Sequence, residues 1–254
     1  MEVIFLGVGE AFDENLSNTS ILIRHGTGRS PVNLLLDCGF TAPVKLWREE
    51  SEPDALDGIW ISHFHGDHTF GLPALFVRLW EERRQKELRI IGQKGIETFT
   101  LNCLELAYPG FYERLNYPLK FVEVEPGGPT KNFGHTFTTA ENSHSVRDLA
   151  LRIDLEDKSV FYSGDGRPTP ESVAMARGCQ LIIHEAFAMN NEIPGHGTVT
   201  SAIDMAKKCT ALNLALVHIQ RRIRGKVIAE IEQLKEMAYP VNVFVPEPGE
   251  RFNL

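Results

Sequence analysis

The sequence has little of what marks a secreted or disulfide-bonded protein. Its four cysteines are far apart and include no Cys-x-x-Cys pair; they are Cys38, Cys103, Cys179 and Cys209. Such a spacing does not indicate a disulfide framework, so we expect reduced and mostly buried thiols. The opening residues (MEVIFL) lack the basic segment of a signal peptide and are typical of a strand. We therefore expect a cytoplasmic protein.

The sequence also lacks long apolar runs and an excess of positive charge. No apolar run approaches the ~20 residues that a membrane-spanning helix needs, so no membrane partner is expected. The formal net charge is −8. An acidic balance disfavours attraction of nucleic acid to the whole surface, although it is compatible with a local basic patch.

What remains is the composition of a globular protein, with 254 residues, 43% of them hydrophobic and 24% charged. No repeat or linker divides the chain, so we predict a single domain over residues 1–254. Strands dominate the first half, and strands alternate with helices in the second, which favours a layered α/β arrangement. The predicted elements include helices over 72–85 and 226–237 and a strand over 133–139, whereas the aromatic segment 108–117 matches no element.

The most informative segment follows the apolar run GIWI and covers residues 62–68 (SHFHGDH). It places His63, His65, Asp67 and His68 together, and imidazole and carboxylate suit zinc, iron or manganese. Along one extended strand these side chains would fan out poorly around a single ion. A turn at Gly66 would instead direct the first two at one ion and the last two at a second. The alternative, a loop that is rich in histidine by chance, fits such a dense cluster poorly.

Further ligand types follow other strand-like runs. His144, Asp165 and His218 each lie at or just past the end of such a run, and so does the pair His184-Glu185. Any one of these residues alone is more often a hydrogen-bonded core residue than a ligand. The repetition predicts a site assembled from several strand ends at one edge of a sheet.

Together these motifs resemble a known family. Residues 61–73 (ISHFHGDHTFGLP) are similar to the signature of metallo-β-lactamase-fold hydrolases, and FGLP looks like the ribonuclease Z branch. Asp37 in LDCG matches the early structural aspartate of the family. The segment HEA at residues 184–186 resembles the branch's His-Glu-Ala-Thr element, with Phe187 in place of threonine. GHGT at 195–198 resembles its Gly-His-Ser-Thr element.

The resemblance implies a four-layer αββα sandwich with two divalent metal ions at one edge. The ions are expected to be zinc, with manganese or iron as alternatives. One ion would take His63, His65 and His144, the other would take Asp67, His68 and His218, and Asp165 would bridge both. A bridging hydroxide would be the nucleophile, steered by Asp67.

Three more residues receive roles by the same resemblance. His196 is the candidate general acid for the leaving group, and Glu185 would hold its tautomer, unless Glu185 is an ordinary solvated carboxylate. Arg222 would contact the substrate phosphate, unless it belongs to a solvated basic helix start. His184 is either a residue behind the ligands or a buried strand-end histidine, and Asp37 is expected to accept hydrogen bonds without binding metal.

Two departures from the family bear on the substrate. The segment between His144 and Asp165 has no room for the long arm with which tRNA-processing members grip tRNA. The loop over residues 12–18 (FDENLSN) carries acidic residues where the family has basic ones, and Ser17 replaces an arginine. Because phosphate contacts supply much of the affinity for nucleic acid, tRNA is disfavoured.

The leading hypothesis is therefore a two-metal phosphodiesterase that acts on a small phosphodiester or a short nucleic-acid end. The alternatives are a tRNA 3′-end endoribonuclease, and a sulfatase, lactonase or thioesterase on the same scaffold. A redox di-iron protein or a metal sensor is disfavoured, because redox relatives usually carry glutamate at the position of His65. The family also suggests a homodimer, for which Phe76, Leu79 and Trp80 would serve if exposed.

Overall fold

The computed structural model describes residues 1–26 and 31–254, which form two seven-stranded sheets. The first sheet contains β1 (Glu2–Gly7), β2 (Ser20–His25), β3 (Val32–Leu36), β4 (Leu56–Ile61), β5 (Leu88–Gln93), β6 (Leu119–Val124) and β14 (Arg251–Asn253). The second contains β7 (Gly127–Asn132), β8 (His135–Asn142), β9 (Asp148–Leu155), β10 (Lys158–Tyr162), β11 (Leu181–Glu185), β12 (Asn213–Val217) and β13 (Asn242–Phe244). The strand orders are β14-β1-β2-β3-β4-β5-β6 and β13-β12-β11-β10-β9-β8-β7.

Eight α-helices accompany the sheets in the described parts of the chain. They are α1 (Ala42–Glu49), α2 (Gly66–Thr69), α3 (Leu72–Glu81), α4 (Ile96–Ala107), α5 (Pro170–Met175), α6 (Val199–Lys208), α7 (Arg221–Ala229) and α8 (Ile231–Ala238). None of the helices in the described ranges combines the length and apolarity needed to cross a membrane.

Alternation along the strands builds the layers. In β1, Val3 and Phe5 face the core between the two sheets, whereas Ile4 and Leu6 pack in the cluster that contains α1 and α3. Because successive side chains of a strand point to opposite faces, one strand serves two apolar layers. The second sheet repeats this arrangement with a third apolar cluster against its helices. The predicted αββα sandwich is confirmed.

Two predicted helices were wrong in extent. The helix predicted over 72–85 ends at Glu81, because the fully buried Arg84 turns inward and donates to backbone oxygens of Leu56 and Glu87. The helix predicted over 226–237 is two helices, α7 and α8, which are separated at Glu230. Periodicity alone does not reveal such a break, because both helices bury apolar residues against the same layer.

The region around Phe133 was also mispredicted. Phe133 and Gly134 both have positive φ, 54° and 80°, and form the turn of a hairpin in which Asn132 pairs with His135. Strand β8 therefore starts at His135, and the Gly- and Pro-containing strand β7 before it was missed because it is almost wholly exposed. The unassigned segment 108–117 contains one 3₁₀ turn, Tyr112–Arg114.

Candidate metal centre

Strands from both sheets end at one edge of the sandwich. Strands β10, β11 and β12 are parallel neighbours, so their carboxyl ends point the same way. Strand β4 of the other sheet reaches the same edge, where the backbone N–H of Leu149 donates to Ser62 O at 3.0 Å. The sequence segments with ligand types follow these ends, which is why residues from distant parts of the chain meet.

The first group of ligand types consists of His63, His65 and His144, with one ring nitrogen of each within 4.8 Å of the others. His63 Nε2 and His144 Nε2 both lie 3.1 Å from His65 Nδ1. This group contains only imidazoles and will be called the imidazole group.

The second group consists of Asp67, His68, Asp165 and His218, again with ligand atoms within 4.8 Å of one another. His218 Nε2 lies 3.3 Å from Asp67 Oδ2 and 3.5 Å from Asp165 Oδ2. His68 Nε2 lies 3.5 Å from the other oxygen of Asp165. This group, which contains two carboxylates, will be called the carboxylate group.

Asp165 lies between the two groups. Besides its partners in the carboxylate group, its carboxylate falls within 4.8 Å of ligand atoms of His144 and His196. The position is the one that a residue bridging two ions would occupy. The structure therefore brings together all seven residues that were predicted as ligands.

Buried carboxylates behind the ligands fix the imidazole rings. Asp37 accepts hydrogen bonds from His68 Nδ1 at 2.7 Å, from the backbone and hydroxyl of Ser62, and from the hydroxyl of Tyr162. It thus has the hydrogen-bonding surroundings that were expected of it. The hydrogen-bond contact of His63 Nδ1 is the Ser62 hydroxyl at 3.0 Å, and Asp148 Oδ1 lies 3.2 Å from the same nitrogen, an ion-pair distance without hydrogen-bond alignment. A carboxylate behind a histidine sets its tautomer and orientation.

Asp148 also holds the loop that carries Asp165. Its Oδ1 accepts from the Asp165 backbone N–H at 3.1 Å. The preceding Gly164 has a φ of 61°, and a Cβ there would lie 2.2 Å from Asp148 Oδ1, so no larger residue fits. The sequence reasoning missed Asp148, because an acidic residue at the start of an apolar strand carries no spacing signal.

The two groups differ in their electrostatics. Burial lowers the pKa of His63 well below its ordinary value, and the neighbouring His68 lowers it further. In the carboxylate group burial also opposes charge on His218, but Asp165 and Asp67 together outweigh it and raise the pKa of His218 to about 9. For Asp165, burial would raise the pKa, yet His218 and His68 lower it well below its ordinary value. The carboxylate group thus favours the binding of positive charge.

The buried atoms fit a divalent cation. Among the described residues, His68 Nε2 and Asp165 Oδ1 are buried and have no aligned hydrogen-bond partner, although they lie 3.5 Å apart. Unpaired buried polar atoms are costly, and a cation between imidazole nitrogen and carboxylate oxygen would satisfy both at once. These clusters are those of a site for divalent metal.

Glu185 is fully buried, so the solvated alternative for it is wrong. Its Oε1 accepts from the backbone N–H of Gly166 and Gly197 at 2.8 and 2.7 Å, and its Oε2 accepts from Phe187 at 3.0 Å. Oε1 is also 3.3 Å from His196 Nδ1, an ion-pair distance without hydrogen-bond alignment. Glu185 therefore secures the loops that follow Asp165 and His196.

Burial alone would lower the pKa of His196, but Glu185 raises it above its ordinary value. His184 is fully buried and its Nδ1 contacts the backbone oxygen of Glu185 at 2.7 Å. That contact agrees with a buried strand-end residue and leaves a role behind the ligands open.

An open cleft of about 670 Å³ gives access to the two groups, and its lining includes His65, Asp67, Asp165, His196 and His218. The arginine on this lining is Arg221, which also lines a second cavity beside Asp13 and Glu14, whereas Arg222 lines only that second cavity. Arg221 forms an ion pair with the buried Glu10. The prediction thus selected the neighbour of the arginine that reaches the cleft, because a helix start turns adjacent side chains apart by about 100°.

Aromatic side chains surround the mouth of this cleft. Phe12, Phe40 and Phe70 line it and are 76%, 49% and 57% exposed. Phe76 and Leu79, by contrast, are buried against α1 and α4, so they are not available for the dimer contact suggested from sequence.

Comparison with known proteins gives this fold and site a class. The structure is similar to the metallo-β-lactamase-fold protein YhfI from Bacillus subtilis, with a TM-score of 0.80, 20% identity and 99% of each chain covered. It is also similar to the short form of human tRNase Z (ELAC1), with a TM-score of 0.78, 20% identity and coverage of 100% and 99%. Ribonuclease Z of Bacillus subtilis (strain 168) is 26% identical over an alignment of 299 residues, with 96% of each chain covered.

Fold, relatives and metal-ligand clusters together define a metal-dependent hydrolase of the ribonuclease Z-like branch of the metallo-β-lactamase fold. Within it, the chain belongs to the family described as "Anti-Pycsar protein Apyc1", which it matches over residues 1–232.

Proposed function

We propose that this protein is a two-metal phosphodiesterase that acts on a small phosphodiester or a short nucleic-acid end. The observation that carries the proposal is the meeting of the imidazole group and the carboxylate group, with Asp165 between them, beside an open cleft. A pair of ions is the arrangement that holds both the attacking and the leaving oxygen of a phosphoryl displacement.

In this proposal the imidazole group would hold one divalent ion, the carboxylate group would hold the other, and Asp165 lies within reach of both groups. Zinc is the first candidate, because neutral imidazole and carboxylate suit it, and manganese and iron are the alternatives. When bound, the ions supply Lewis acidity and a water whose pKa is lowered towards 7. Asp67, half-buried on the cleft lining, orients that water through its carboxylate.

His196 donates a proton to the leaving oxygen. It lies on the cleft lining, and Glu185 sits 3.3 Å from its Nδ1, so Nε2 is the nitrogen that remains for the substrate. The buried carboxylate stabilises the imidazolium form that a general acid needs. Arg221 is the arginine placed to meet a substrate phosphate, and its pairing with Glu10 orients the guanidinium.

A tRNA 3′-end endoribonuclease is the second candidate, which the ribonuclease Z relatives favour. Against it, the stretch between His144 and Asp165 is taken up by the hairpin of β9 and β10, in which Leu155 pairs with Lys158. The loop over 12–18 uses Asp13 to accept from the backbone of Asn15 and Leu16, and offers no cation. A sulfatase, lactonase or thioesterase has no observation in its favour.

The remaining sequence predictions join the proposal. All four cysteines are free and three are buried, which supports a reducing, cytoplasmic environment, and the single domain over residues 1–254 stays a prediction. A homodimer stays a prediction.

The test uses purified protein that has been stripped of metal and reloaded with Zn²⁺ or Mn²⁺. The reloaded protein should hydrolyse bis(p-nitrophenyl) phosphate, the stripped protein should not, and His63→Ala should be about 10²-fold slower than wild type. His25→Ala, a histidine outside both groups, is the matched control. Equal turnover with and without metal would reject the proposal, and faster cleavage of a precursor tRNA than of any small diester would favour the second candidate.

A further inference from the structure

Phe187 packs against His196, the candidate general acid. Its ring stacks on the imidazole of His196, with centroids 4.5 Å apart and planes inclined by 24°. It also lies on the cleft lining, 6.2 Å from the ring of His218. In the sequence, Phe187 occupies a position where the ribonuclease Z branch usually has threonine.

One carboxylate ties Phe187 and His196 together. Glu185 Oε2 accepts from the backbone N–H of Phe187 at 3.0 Å, while its Oε1 lies 3.3 Å from His196 Nδ1. Glu185 therefore lies at the edge of the His196 imidazole, and the Phe187 ring packs on the face of that imidazole. Since the two residues are separated only by Ala186 at the end of β11, they form one rigid support.

The backbone that carries His196 is a hydrogen-bonded turn, in which the N–H of His196 donates to Ile193 O at 3.1 Å and the N–H of Gly197 donates to Glu185 Oε1 at 2.7 Å. The residue lies between Gly195, whose φ is 77°, and Gly197, in a loop outside the helices and strands. Two other rings lie near His196 within the described chain: His144 meets it edge-on at 5.0 Å and 76°, and His218 is nearly parallel to it but farther away, at 6.2 Å and 15°. Face-on contact from an aromatic ring is thus provided at short range by Phe187, and such stacking is both orienting and favourable to a cationic imidazolium.

We propose that Phe187 is a positioning residue that holds His196 in the orientation needed to protonate the leaving group. This inference rests on the acid role proposed for His196. In the step concerned, the oxygen of water bonds to phosphorus and the bond from phosphorus to the leaving oxygen breaks. The electron pair stays on the leaving oxygen, which takes the proton from His196 Nε2. The proton lost by the water passes to solvent, and solvent reprotonates the imidazole.

A positioning role predicts a dependence on the leaving group that a purely structural role does not. A p-nitrophenolate departs readily without a proton, whereas a more basic phenolate needs one, so only the second should depend on a well-placed acid. The substrates are methyl p-nitrophenyl phosphate and methyl phenyl phosphate, assayed with the metal-loaded full-length protein. The variants are Phe187→Leu and Phe187→Met, which remove the aromatic face, and Phe187→Tyr, which keeps it.

We expect Phe187→Leu to lower kcat for the phenyl ester about tenfold, to leave kcat for the p-nitrophenyl ester within about twofold, and to leave KM unchanged for both. Phe187→Tyr should retain wild-type values within about twofold. Equal losses on the two esters, or no loss on either, would overturn the inference. Metal content and thermal melting identify a variant that fails to fold, in which case Phe187→Met supplies the comparison.

His196→Ala separates this inference from the proposed function. If His196→Ala also loses the phenyl ester selectively, and Phe187→Leu adds no further loss in that background, both stand. If His196→Ala is selective but Phe187→Leu is not, only the role of Phe187 fails. If His196→Ala hydrolyses the phenyl ester like wild type, the acid role itself fails.

Discussion

The imidazole group and the carboxylate group lie side by side but are built differently. The imidazole group consists of three histidines, and burial together with neighbouring histidines lowers the pKa of His63 and His65. The carboxylate group contains Asp67 and Asp165, and the two carboxylates, against the effect of burial, raise the pKa of His218 to about 9. An ion must displace protons from the carboxylate group, which opposes binding, but Asp67 and Asp165 offer it two negative charges, whereas the imidazole group has no carboxylate apart from the shared Asp165. We therefore expect tighter binding in the carboxylate group.

The supports behind the ligands follow the same division. Asp37 fixes His68 in the carboxylate group, and Asp148 fixes His63 in the imidazole group. Each support is a fully buried carboxylate on the strand end nearest to its ligand. The comparison suggests that the two ions can be perturbed one at a time, except through Asp165.

The largest effect should come from the residue the groups share. Asp165→Asn removes one negative charge from the middle of the centre, and we expect it to lower the affinity of both ions and kcat/KM by about 10³-fold or more. Metal content by mass spectrometry and turnover of bis(p-nitrophenyl) phosphate are the measurements. Retention of both ions with normal turnover would show that Asp165 does not bridge.

Next in size is the removal of one ligand from either group. His63→Ala should leave one ion per chain, bound in the carboxylate group, and His218→Ala should weaken that group while the imidazole group stays complete. Each should lower kcat/KM by about 10²-fold, because one of two Lewis acids is lost. The measurement is the number of metal ions bound per chain, with His25→Ala as the control variant. Two bound ions in either His63→Ala or His218→Ala would contradict the assignment.

Smaller effects are expected behind the ligands. Asp37→Asn should weaken the ion of the carboxylate group by about 10–100-fold and spare the other, and Asp148→Asn should do the reverse. Competition with a calibrated zinc chelator measures both constants. Asp37 accepts four hydrogen bonds, so its variant should also melt earlier. Equal weakening of both ions in each variant would remove the distinction between the supports.

The smallest effect is the order in which the ions leave. Limited chelation should take the ion of the imidazole group first, with little change in Tm, and the second ion should leave with a larger fall. An ion present at 100 times its Kd stabilises the fold by about 2.7 kcal/mol. If the Kd values of the two ions differ a hundredfold, their losses should therefore be seen as two separate steps. Calorimetry during stepwise chelation provides the reading; a single step would mean that the groups bind as one.

Much of the site was predictable because it is written in short motifs. Residues 62–68 contain four potential ligand residues, His63, His65, Asp67 and His68. Asp165 and His218 follow apolar runs with the composition of β-strands. Strand patterning was equally legible for buried strands such as β4 and β11. It failed for β7, which has almost no buried residue, and for the α7–α8 break, where two short helices share one apolar face.

The sequence by itself determined which residues can bind metal and where on the strands they lie, because ligand chemistry and side-chain alternation are local properties. The tertiary structure decided which residues meet. It placed Arg221 rather than Arg222 on the cleft, put Asp148 behind His63, and stacked Phe187 on His196. These contacts join segments or faces whose relative orientation depends on the packing of two sheets, and no spacing within one segment encodes that orientation.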